Sequence, residues 1–107
     1  MLTLFWNMLQ REDLRMPQLY RFGTYIIYFW VNEGEPTEPV HVHVQEGRPS
    51  PNGTKIWITR KGKTIVSHNQ SRISPNHLRQ ICRFLEANSD AIIERWKDEF
   101  DRVEFFC

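Results

Sequence analysis

The chain has 107 residues, 40% of them hydrophobic, 25% charged and 13% aromatic, with a formal net charge of +1. That size supports one domain with one core. It holds no apolar run near the roughly 20 residues of a membrane-spanning helix, so such a span is excluded. Cys82 and Cys107 are far apart and have no CxxC spacing, which fits a reducing cytoplasm better than a disulfide framework.

Residues 1–15 read as an N-terminal extension, with a short amphipathic helix over Leu4–Leu14 or a later domain start at Met16-Pro17 as its two explanations. Met1–Trp6 is apolar but lacks a basic flank and a cleavage site, so no signal peptide is expected. Residues 16–107 read as a single domain. Gln18–Phe22 is a short strand ended by Gly23, and Thr24–Val31 is a β-branched and aromatic run suited to an interior strand. The loop Asn32–Glu38 carries Gly34, Pro36 and three glutamates. A third strand covers Val40–Gln45. Asn52-Gly53 marks a turn before Thr54–Thr59, and Gly62 turns the chain into Thr64–Ser67, giving a hairpin with a basic tip.

Ser74-Pro75 is a helix start, with serine as N-cap and proline at the first helical position. Leu78, Ile81, Cys82 and Leu85 then follow helical spacing, so Cys82 is expected to pack as a small hydrophobe. Asn88-Ser89-Asp90 breaks this helix and caps a second one, with Ile92, Ile93, Trp96 and Phe100 as its buried stripe; the tail to Cys107 reads as irregular. Strands first and helices last imply an α+β fold, a small antiparallel sheet of four to five strands with two C-terminal helices on one face.

The chemistry concentrates in the third strand, Pro39-Val40-His41-Val42-His43-Val44. Period-two alternation turns the valines one way and both imidazoles the other, and the expectation is that the two rings project together toward solvent. Charge is segregated around them. Gly47–Leu85 holds eight basic residues and no acidic one, while both flanking segments are net acidic. That is either a solvated face or a footprint for phosphate or an acidic protein.

Met16-Pro17, Arg21-Phe22, the aromatic strand, Asn32-Glu33, the double-histidine strand, Lys55-Ile56-Trp57, Ser74, Leu78, and Asn88, Ile92 and Trp96 together resemble the bacterial domain of unknown function family 4160. The resemblance covers about residues 16–100, and the double-histidine strand is its specific part. Val40 departs from it by standing where a second proline is usual, and the glutamate- and proline-rich loop before the strand is longer than typical. By gene context, members of that family resemble the toxin halves of two-gene toxin–antitoxin modules, whose neighbour is a small presumed antitoxin. The resemblance therefore implies a growth-inhibitory toxin with a cognate antitoxin as partner, and leaves its target open.

Three readings of the site stand side by side. In the first, the chain is a metal-independent ribonuclease: His41 and His43 supply acid and base, Glu33 orients one ring, and Lys55 and Arg60 hold phosphate. Lys61, Lys63 and Arg72 extend the cationic surface toward RNA, the translation machinery or a protein partner. In the second, the chain is a non-catalytic binding module or adaptor whose basic middle docks an acidic protein. In the third, the histidines are merely exposed or hydrogen-bonded on a sheet face, and core packing is the favoured role of Trp57 and Tyr28. His77 is expected to face solvent. No cofactor and no metal are expected: an HxH pair gives two ligands, zinc needs a third or fourth, and Glu33, His68 and Glu46 are candidates that nothing in the sequence brings near. A homodimer is compatible with all three readings.

Overall fold

The structure is a computed structural model that describes residues 18–30 and 38–107. The expected helix over Leu4–Leu14, the domain start at Met16-Pro17 and the candidate Glu33 lie outside those residues. Five strands form one antiparallel sheet in chain order: β1 (Gln18–Phe22), β2 (Tyr25–Tyr28), β3 (His41–Glu46), β4 (Thr54–Ile58) and β5 (Thr64–His68). Two helices follow, α1 (Pro75–Ala87) and α2 (Ser89–Phe100). This is the α+β architecture expected from the element order, with β2 interior as its apolar run requires.

The core lies between the sheet and the helices. Val42 and Val44 of β3, Ile56 and Ile58 of β4, and Ile27 of β2 meet Ile81 and Leu85 of α1 and Ile92 and Trp96 of α2. Each such side chain contributes about 1.5–3 kcal/mol by leaving water. The helix stripes are the ones the periodicity gives, with Leu78, Cys82, Ile93 and Phe100 half-buried at their margins. Ser74 caps α1 by accepting a hydrogen bond from the His77 amide at 3.3 Å, and Pro75 occupies the first turn. At the helix break the outcome differs from the expected cap: the Asn88 side chain donates back to the Phe84 carbonyl at 2.8 Å instead of capping α2.

Long-range hydrogen bonds set the connections. Thr54 on β4 is buried with its hydroxyl 2.6 Å from both Asn69 Oδ1 and Ser71 Oγ. Asn69 also donates to the Ile73 carbonyl at 2.8 Å, so one polar cluster shapes the whole link between β5 and α1. The tail has no regular structure, as expected, yet it is pinned. The Val40 amide donates to the Glu104 carbonyl at 2.8 Å and the Arg60 amide to the Cys107 carbonyl at 3.1 Å.

Gly53, just before β4, is required by close approach. A Cβ there would overlap the Tyr28 hydroxyl and stand 3.3 Å from the His43 Cβ. The Tyr28 hydroxyl is itself committed, donating to the Ser50 carbonyl at 3.0 Å. Gly53→Ala is therefore expected to destabilise the protein by about 1–3 kcal/mol through overpacking. A urea unfolding midpoint unchanged from the parent would contradict this.

Candidate functional site

The histidine pair sits where β3 is held on both sides. Register aligns Tyr28 with His43, His43 with Lys55, and Lys55 with His68, so one row of polar side chains crosses β2, β3, β4 and β5. His41 is aligned with Trp57 in the next row. The two imidazoles do share a face, with ring centroids 5.1 Å apart and planes perpendicular.

Their exposure differs from the expectation. His41 is 0% and His43 7% exposed, so neither ring projects into solvent. The physical reason is aromatic enclosure. The His43 ring stacks on Tyr28 at 5.6 Å, while His41 lies 5.5 Å from Trp57 and 5.1 Å from Trp96, which reaches it from α2. Trp57 is covered in turn by Phe106 of the tail, stacked parallel at 4.9 Å. Tyr28 and Trp57 thus serve packing, the role favoured for them on sequence grounds.

His41 Nδ1 lies 2.9 Å from the Pro39 carbonyl, which can only accept. Nδ1 therefore carries a proton, and in the neutral ring Nε2 holds the lone pair. Lys55, the cation nearest His43 in register, is engaged: its ammonium is 3.2 Å from a Glu38 carboxylate oxygen and 4.4 Å from the Trp57 ring centroid. Arg60 is exposed with its guanidinium 4.9 Å from the Phe105 ring, and Lys61 and Lys63 are exposed at the β4–β5 tip. Arg72 is exposed in the β5–α1 link, at a left-handed φ of 58°. The structure therefore brings only Lys55 of the candidate cations beside the histidines.

Of the further ligand candidates, His68 joins the row and Glu46 does not. Glu46 has the strand parity of Val42 and Val44 and accepts a hydrogen bond from the Thr24 hydroxyl. Among the described residues no group of three or more histidine, cysteine, aspartate or glutamate side chains is arranged to hold a metal ion. His77 is exposed, as expected, with its Nδ1 2.9 Å from the Tyr25 hydroxyl.

The sequence offers His68 only as a ligand candidate, and its proximity to His43 and Lys55 follows from a bulge that shifts the β4–β5 register between Lys55 and Ile56. Desolvation lowers its pKa below the ordinary 6.5, and the charges of His43 and Lys55 lower it further. The folded state then binds this proton less tightly than the unfolded chain. Stability from this group is complete above about pH 6.5 and declines as pH falls below it, because the unfolded chain is protonated first. His68→Gln is expected to flatten that part of the profile. Urea midpoints at about pH 8 and about pH 5.5 measure it, and an identical slope in both proteins would contradict the assignment.

Residues 24–97, well over half of the chain, match the family described as a domain of unknown function, DUF4160. The chain belongs to this family. Neither the curated proteins nor the solved structures give a match. The DUF4160 match spans β2 through most of α2, so it contains the histidine row and all of α1. Among the described residues no helix is long and apolar enough to cross a membrane.

Proposed function

We propose that this DUF4160 protein is a protein-binding module serving as the growth-inhibitory half of a two-gene toxin–antitoxin pair, and that it acts by occupying its target. The observation that carries the binding part is the enclosure of His41 and His43. Acid–base cleavage of RNA requires an imidazole within hydrogen-bond reach of the 2′-hydroxyl and another at the leaving oxygen. Here His41 is fully buried and held to the Pro39 carbonyl, and the adjacent Lys55 is engaged by Glu38. Exposed cations of the basic segment, among them Arg60, Lys61 and Lys63 at the hairpin tip and Arg79 and Arg83 on α1, are available to an acidic protein. The toxin role rests on the family resemblance, with a small acidic antitoxin as partner and the cytoplasm, where Cys82 and Cys107 stay free thiols, as compartment.

Inducible expression in a bacterial host tests this reading. Growth arrest by the parent, retained by a folded His43→Gln variant, is the expected result. Arrest lost in that variant, together with RNA cleavage by the purified parent, would replace binding with catalysis. Absence of arrest by the parent would remove the toxin role.

A further inference from the structure

β5 ends the sheet among the described residues, and its outer side is unusual for an edge. Ile65 and Val66 are each 37% exposed. Beside Val66 runs a groove of about 450 Å³ between β5 and α1. Val66, Leu78 and Cys82 form its apolar floor, Arg79 and Arg83 its rim, and Glu86 one end. Glu86 accepts a hydrogen bond from the Thr64 amide at 3.1 Å, so that amide points away from β4. Backbone groups alternate along an antiparallel strand, which turns the Val66 amide and carbonyl to the same open side.

We propose that this groove receives an extended peptide segment of a partner protein that carries an apolar residue followed at every second position by acidic ones, all on the one strand face turned toward α1. Such a segment adds beside β5 through the Val66 backbone groups, seats an apolar side chain on Leu78 and Cys82, and presents carboxylates to Arg79 and Arg83. Those arginines stand one helical turn apart on α1, so their guanidinium groups serve neighbouring acidic positions. Charge decides the occupant. A second copy offering its own β5 brings Lys63-Thr64-Ile65-Val66-Ser67-His68, which has no carboxylate for the arginine rim. A nucleic acid strand finds no aromatic ring among the lining residues on which to stack. The site rests on the binding-module reading and gives the partner its chemistry.

Panning a library of random linear peptides on the purified full chain tests the site. The expected outcome is enrichment of peptides with an apolar residue followed two and four positions later by acidic ones. Their affinity should fall at least about tenfold for Arg79→Glu/Arg83→Glu and for Val66→Lys, and stay unchanged for Arg21→Glu on the opposite edge strand. Circular dichroism confirms that each variant is folded. The proposal is overturned by the absence of enrichment, by affinity indifferent to the groove substitutions, by a dimer that Val66→Lys dissociates, or by single-stranded RNA that displaces the peptides. Growth arrest is read separately. Peptide capture without arrest keeps the groove and removes the toxin role, whereas arrest without capture removes the groove alone.

Discussion

Trp96→Ala should cost about 3–5 kcal/mol, the largest single loss expected in this protein. Trp96 is 2% exposed, with its ring stacked on Phe29 at 5.3 Å and tilted against Phe100 at 4.3 Å and His41 at 5.1 Å. Removing the indole leaves a cavity bordered by Phe29 just past β2, His41 of β3 and Phe100 of α2, and backbone pairing keeps the strands from collapsing into it. A domain of this size has only about 5–15 kcal/mol of stability in all. The thermal midpoint should therefore fall by more than about 12 °C. A fall of a few degrees would mean that α2 repacks independently of the sheet.

The second large effect is expected at His41. His41→Ala removes a buried ring in contact with His43, Trp57 and Trp96 and leaves the Pro39 carbonyl without that donor. The loss should be on the order of 2–4 kcal/mol, combining cavity formation with an unsatisfied carbonyl. His41→Phe restores volume without the donor and should recover part of the loss, which separates packing from hydrogen bonding. Chemical denaturation of the three proteins makes the comparison. A catalytic histidine open to solvent would show the reverse pattern, with activity lost and the unfolding midpoint unmoved.

The fold was legible wherever the signal was local. Alternation in Val40–Val44 turns the valines to the core and both histidines to one opposite side, and Ser74-Pro75 starts α1 at the position it takes. Enclosure of that face was not legible, because it depends on rings from three other elements: Tyr28, Trp96, and Trp57 with Phe106 over it. No spacing in the chain announces that Phe106 will return to β4. The tail reads as irregular for the same reason, since its anchors to Val40 and Arg60 are long-range backbone bonds. His68 reaches the histidine row through a bulge, and bulges shift register without a fixed sequence signature. The groove was not legible either, because Arg79 and Arg83 are two of the eight basic residues of Gly47–Leu85 and nothing local in the chain places β5 beside them.

Carbethoxylation of the native protein, mapped residue by residue by mass spectrometry, tests the enclosure of the histidine strand most directly. His77 is exposed and should react first, His68 more slowly, and His41 and His43 only once the protein is unfolded by denaturant. Modification of His41 or His43 in the folded protein at the rate of His77 would contradict the enclosure and return the pair to candidacy as acid and base.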